Sequence, residues 1–218
     1  MTQNAPNRDR DTPRLYLITP VTGEPAPLQA ALPQALAAAD IAAVLLRLQD
    51  ADERTLVNRI KAVAPLVQRA DAALLVAGHA RLVARAGADG AHLAGAEDFA
   101  EALGALKPDR IAGAGNLHTR HDAMLVAEAG ADYVMFGEPD ARGERPSFAS
   151  ILERVGWWAE VFQTPCVAYA AAAEEVGPLA QVGADFVAIG DYAFADADAL
   201  VPALRAAMLA LRMPERVP

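Results

Sequence analysis

The chain has one cysteine, Cys166, in 218 residues. A lone thiol makes no intrachain disulfide, and a structural zinc site built from cysteines is excluded. A basic block is also missing: 19 Lys and Arg stand against 28 Asp and Glu, a formal net charge of −9. Nucleic acids are held by clustered cations, so no nucleic-acid partner is expected. No apolar stretch reaches the 18 residues of a membrane span without a charge or a turn residue, so no membrane insertion is expected. Residues 1–13, MTQNAPNRDRDTP, lack the apolar centre of a signal peptide. They read as a disordered leader on a cytoplasmic protein, and residues 214–218 read as a C-terminal tail.

What is present is a large apolar fraction, 54% of the chain, enough for one domain with a substantial core over residues 14–213. Strand and helix patterns alternate. Strands are expected near 14–19, 41–48, 72–77, 90–93, 110–114, 133–136, 166–169 and 186–189. Helices are expected near 27–39, 52–69, 79–86, 96–106, 119–129, 147–161, 173–182 and 196–212. Such alternation predicts a parallel sheet under helices, and eight units predict an α/β fold of one kind, a single (β/α)8 TIM barrel. An internal echo supports it: AGADGAHL (86–93), AGADYVMF (129–136) and VGADFVAI (182–189) each join a helix-ending glycine to a strand through Ala-Asp. These turns precede strands, at the end of a barrel that serves stability, so Asp89, Asp132 and Asp185 are read as architectural.

Several segments resemble the thiamine phosphate synthases and their relatives, the thiazole tautomerases. They are RLYLIT (14–19), Arg47 in VLLRLQD (44–50), AGADGAHL (86–93), NLHTRHDAMLVAEAGADYVMFGE (116–138), TPCVAYA (164–170) and VGADFVAIG (182–190). The resemblance runs from about residue 14 to the last helix. It implies the joining of an aminopyrimidine diphosphate to a thiazole phosphate, with Mg2+ where synthase activity is retained. It also implies a small-molecule ligand at the C-terminal mouth of the barrel. The substrate-binding positions it points to are Arg47, Asn116, His118, Glu138, Arg142, Tyr169, Ala170, Gly190 and Asp191. His118 is the catalytic candidate, and Asp98 the metal candidate. The oligomeric state stays open, a homodimer included.

The chain departs from that family pattern where phosphate and metal would sit. The second strand's Gln-x-Arg-x-Lys reads Leu45, Arg47, Gln49. The Asn-Asp pair after the third strand reads Ala77-Gly78. A serine after the fifth strand reads Asn116. The loop after the sixth strand offers only Arg142 and Arg145 as cations. Paired glycines after the seventh strand read Ala170-Ala171, and a serine after the eighth reads Asp191. Phosphate binding wants open backbone N–H groups and no negative neighbour, so this turn is expected to hold no phosphate, with Asp191 as the main reason. Synthase activity is therefore in question. The alternatives are a tautomerase-like enzyme using His118 on a small unphosphorylated substrate, or a non-catalytic barrel that binds a small molecule or a protein.

Each candidate has a plainer reading. His118 moves a proton, imidazole being suited to that near neutral pH, or it bonds locally at a helix start. His92, His118 and His121 could suggest a metal, but nothing in their spacing makes them converge. Arg47, a charge on an apolar strand, anchors substrate or pairs internally with Asp191 or Glu138. Glu97 and Asp98, like Glu174 and Glu175, read most simply as first-turn acids of their helices. Trp157, Trp158 and Phe162 read as core or a subunit interface.

Overall fold

The computed structural model describes residues 12–196 and 198–212. Most of the expected leader and the whole of the expected tail lie outside the described residues. Eight strands appear: β1 (Arg14–Ile18), β2 (Ile41–Leu46), β3 (Ala73–Ala77), β4 (Gly90–Ala94), β5 (Ile111–Gly115), β6 (Tyr133–Phe136), β7 (Cys166–Ala170) and β8 (Phe186–Ile189). Between and after them lie α1 (Ala26–Ala38), α2 (Glu53–Gln68), α3 (Val83–Ala86), α4 (Gly95–Leu106), α5 (Arg120–Glu128), α6 (Phe148–Val161), α7 (Val176–Gln181) and α8 (Leu200–Arg212). Each strand pairs in parallel with the next, and β8 closes onto β1, so the sheet is a closed barrel.

The side chains divide with the period of two that a strand imposes. Leu15, Val44, Leu46, Val134 and Phe136 point outward into a continuous layer against the helices. Tyr16, Ile18, Leu45, Leu75, Tyr133, Met135, Val167 and Tyr169 form a second cluster inside the barrel. Trp158 is fully buried in the outer layer. It stacks on Phe162 with centroids 4.0 Å apart, and its indole N–H donates to the Thr164 carbonyl at 2.8 Å.

The repeated Ala-Asp turns are one device used three times. The Asp89 carboxylate accepts from the Leu74 N–H at 2.7 Å, Asp132 from Ala112 at 2.7 Å, and Asp185 from Cys166 at 2.8 Å. In each case the aspartate's own N–H donates to the carbonyl of that same residue. β3, β5 and β7 thus each have a peptide near their start clamped to the turn that begins the next strand.

Several boundaries differ from expectation, and α7 starts only at Val176, after a 3₁₀ turn over Ala173–Glu175. β2 stops at Leu46, so Arg47 lies just beyond the strand, and its backbone carbonyl accepts from the Thr22 N–H at 3.0 Å. The helix expected from 79 begins with His79 in the left-handed region (φ 44°) and a 3₁₀ turn over Ala80–Leu82 before α3. The last helix starts at Leu200, because residues 191–194 form a 3₁₀ turn instead, with Ala193 fully buried in the outer layer.

Candidate functional site

β5 reads IAGAG, and its inward positions after Ile111 are Gly113 and Gly115. A methyl group on Gly113 would collide with the Tyr133 ring, and one on Gly115 with the Glu138 carboxylate. The two glycines therefore make the room in which neighbouring polar groups meet. The Tyr16 and Tyr133 hydroxyls are 2.9 Å apart. The Tyr133 hydroxyl is 2.9 Å from His92 Nδ1, and His92 Nε2 is 3.2 Å from Glu138 Oε2. The His92 and Tyr133 rings stack, with an interplanar angle of 14°. Burial pushes both tyrosine hydroxyls well above their ordinary range, Tyr133 being raised further by Tyr16 and by the Glu138 charge. This polar chain runs from the barrel interior to the C-terminal mouth.

There it opens into a cleft of about 240 Å3 lined by Asn116, His118, Glu138, Asp140, Arg145 and Arg154, among others. Asn116 takes φ 51°, a left-handed conformation that asparagine tolerates better than most residues. His118 is exposed, and its carbonyl accepts from Arg154 at 3.2 Å. Thr119 and Asp122 form a reciprocal capping box that starts α5 directly after it.

The turn after β7 is filled from within. Glu175, at the end of a 3₁₀ turn, points back and accepts the Ala171 N–H at 2.8 Å. The same carboxylate accepts from Arg145 Nη1 and Nη2, at 3.0 and 3.1 Å for the nearer oxygens. Arg145 also donates to the Gly137 carbonyl at 3.1 Å and lies over the Tyr169 ring at 5.7 Å. Across the mouth Arg47 pairs with Asp191, and its Nε donates to the Thr19 carbonyl at 2.6 Å. Burial raises the Tyr169 hydroxyl, with Asp191 adding to it, and burial pushes Tyr192 up to about 12.

Of the residues singled out from sequence, Asn116, His118 and Glu138 share the cleft. Arg47 and Asp191 are paired with one another, beside Tyr169, whose ring packs where a side chain on Gly190 would stand. Ala170 ends β7, and its methyl group is fully buried in the outer layer. Arg142 is exposed, its backbone N–H donates to Asp140 at 2.8 Å, and its charge helps lower the same carboxyl. Asp98 is exposed on the first turn of α4, in a separate groove with Gly78, His79 and Glu101. Sequence reasoning did not single out Tyr16, Tyr133 or Arg145 as site residues, and weighed His92 only as a metal ligand. The usable signal was the pair of glycines at alternate positions of β5, which announces large inward neighbours.

Fold and mouth together define a (β/α)8 barrel with a polar cleft at the C-terminal ends of its strands. A sequence profile described as thiamine monophosphate synthase matches residues 15–192. A thiamine-phosphate synthase of Rhodospirillum centenum is 40% identical over 180 residues, 81% of this chain and 86% of that one. One of Hyphomonas neptunium is 36% identical over 220 residues, covering 94% and 96%. The chain belongs to the thiamine monophosphate synthase family. Among solved structures, the thiamine phosphate pyrophosphorylase of Pyrococcus furiosus superposes with a TM-score of 0.75 at 21% identity, covering 93% of this chain and 97% of that one. That likeness speaks for the fold. No helix among the described residues is long and apolar enough to cross a membrane.

Proposed function

We propose that the chain handles a small heteroaromatic molecule of thiamine assembly at the barrel mouth, without the magnesium diphosphate chemistry of a synthase. The relatives named thiamine-phosphate synthase support the first half. Glu175 carries the second. An anion site works through open N–H groups and an available cation. In this chain one internal carboxylate takes both the Ala171 N–H and Arg145. Arg47 is likewise engaged by Asp191.

The residues present do not fit the magnesium ion that the family's reaction uses. Gly78 and Asp98 line the same groove, but a glycine has no side chain to coordinate. Among the described residues no three His, Cys, Asp or Glu side chains gather as a metal site. His118 and Glu138 sharing one cleft favours proton transfer on the ligand, as in the tautomerase branch.

The test is direct. Purified protein with the aminopyrimidine diphosphate, the thiazole phosphate and Mg2+ is expected to form no thiamine phosphate above a protein-free control. Multiple turnovers, read by chromatography of the product, would overturn the diphosphate-independent reading.

A further inference from the structure

The buried chain from Tyr16 to Glu138 has a direction. Three hydrogen bonds join its four groups: Tyr16 to Tyr133 at 2.9 Å, Tyr133 to His92 Nδ1 at 2.9 Å, and His92 Nε2 to Glu138 Oε2 at 3.2 Å. Tyr16, Tyr133 and His92 are buried, and the Glu138 side chain is 10% exposed. We infer that Tyr133 is a positioning residue: its hydroxyl holds His92 as the neutral Nε2–H tautomer, which keeps Glu138 at the cleft as an ionised carboxylate with no proton supply from behind. The role of base that this gives Glu138 rests on the reading that the cleft carries proton transfer; the direction of the chain does not.

The first support is a count of protons. Buried polar groups are normally paired, so the arrangement that strands none is favoured. A tyrosine hydroxyl carries one proton, and a neutral imidazole carries one on either nitrogen. With that proton on Nε2, His92 donates to Glu138, Nδ1 accepts from Tyr133, and Tyr133 accepts from Tyr16. Every proton then has an acceptor. With the proton on Nδ1 the chain reverses, Nδ1–H donating to Tyr133 and Tyr133 to Tyr16. The Tyr16 proton is then stranded, because its hydrogen bond among the described residues is to Tyr133. Nε2 would also turn a lone pair on the Glu138 carboxylate. An imidazolium, protonated on both nitrogens, strands the same Tyr16 proton. One arrangement of the three closes, and it is the one in which Tyr133 donates to Nδ1.

The second support is what surrounds the imidazole. β5 turns only Gly113 and Gly115 toward this chain, and a methyl group on Gly115 would stand 2.7 Å from His92 Nε2. β3 brings Ala77 to the register of His92. Ile18, Leu45, Leu75 and Met135 pack the interior around the two tyrosines, and their side chains offer no hydrogen bond. Asp140, Glu144, Arg145 and Arg154 share the cleft with Glu138, but the hydrogen-bond partners of the His92 ring are Tyr133 and Glu138.

The third is where a proton can go. Burial raises both tyrosine hydroxyls well above their ordinary range, so Tyr16 does not release its proton to feed the chain. Nε2 already carries a proton and takes none from Glu138. A proton that Glu138 removes from a ligand therefore returns through the cleft, which the exposed His118 also lines.

The experiment reads the protons directly, on the full chain and without a ligand. Long-range 1H–15N correlation spectra at neutral pH distinguish the two neutral tautomers from the imidazolium, and His92→Gln identifies the His92 signals among the four histidines. The wild type is expected to show the Nε2–H tautomer. An Nδ1–H tautomer or an imidazolium would overturn the inference. Glu138→Gln then removes the carboxylate, and because an amide both donates and accepts, the chain behind His92 is left to choose. Nε2–H should persist with a preference of about tenfold or more, as one stranded buried hydroxyl implies. Adding Tyr133→Phe should collapse that preference towards equal tautomers. Adding Tyr16→Phe should preserve it, since the Tyr133 proton would then be the one stranded. A merely structural role would make the two tyrosine losses alike. That result, or a preference already gone in Glu138→Gln, would overturn the assignment to Tyr133. Should a double variant not fold, the proton between Tyr133 and Nδ1 decides in the wild type. It is expected on the tyrosine oxygen, and a one-bond coupling to Nδ1 would overturn the inference. A positive synthase assay would instead overturn the reading of the cleft and leave the direction of the chain standing.

Discussion

Two acids at the mouth, Glu175 and Asp191, differ in what they face. Asp191 is paired with Arg47 and its side chain is 63% exposed, so water screens it. Glu175 is 15% exposed and sits on the Ala171 N–H itself. We propose Glu175, rather than Asp191, as the main obstacle to phosphate at this turn. Asp191→Ser alone is expected to leave the protein without affinity for inorganic phosphate, whereas Glu175→Ala, which frees an N–H and Arg145 together, should gain saturable binding in 31P NMR titrations. Gain with Asp191→Ser alone would reverse the assignment. The same exposure sets the value of the ion pair. A buried pair broken on one side costs about 3–5 kcal/mol, but exposed pairs are worth about 0–1 kcal/mol. Arg47→Met is expected to lower the melting temperature by no more than about 4 °C, the shift that roughly 1 kcal/mol produces in a domain of this size. A much larger drop would show that the pair acts as a buried one.

At the scale of an element, α5 depends on its first turn. Thr119 accepts the Asp122 N–H at 3.0 Å, and the Asp122 carboxylate accepts the Thr119 N–H at 2.9 Å. Thr119→Ala should cost about 1 kcal/mol in urea unfolding, as a lost helix cap does. The hydrogen bonds from Thr119 hold the Asp122 carboxyl below its ordinary range. A depressed carboxylate contributes stability above its unfolded value, near 3.9, and loses it as pH falls through the folded value. Thr119→Ala should therefore flatten part of the acid limb of the stability curve; an unchanged limb would say that Asp122 does not act through the box. β5 makes a steric demand of its own. Gly113→Ala places a methyl group against the Tyr133 ring, and overpacking of that kind costs about 1–3 kcal/mol. Thermal melts should show it, together with altered near-ultraviolet circular dichroism from the displaced ring.

Across the whole molecule the two ends of the barrel divide the work. The Ala-Asp clamps hold β3, β5 and β7 at the N-terminal end, opposite the mouth. Asp132→Ala leaves the Ala112 N–H without its carboxylate and removes the partner of Lys107, which lies at 2.6 Å. An unsatisfied buried donor costs about 1–3 kcal/mol, so the variant should unfold earlier in urea.

The alternation of strand and helix, the count of eight, and the architectural part of the Ala-Asp turns were legible in the order of residues, because local periodicity and turn chemistry carry them. The membership of the family was legible for the same reason, through segments such as RLYLIT and AGADYVMF that are contiguous in the chain. The candidate site was legible only in part. Asn116, His118 and Glu138 fall in one resembling stretch and share one cleft, but the partners that define Glu138 do not lie near it in sequence. His92 is 46 residues away and Tyr16 meets Tyr133 across 117. Glu175 read as an ordinary first-turn acid, because nothing local says that a side chain will turn back onto the N–H four residues before it, with Arg145 arriving from 30 residues away. Closure of the barrel decides those meetings. Inward positions of separate strands are brought to one axis, and charge and hydrogen-bonding capacity are then set by distances between strands, which no single segment contains.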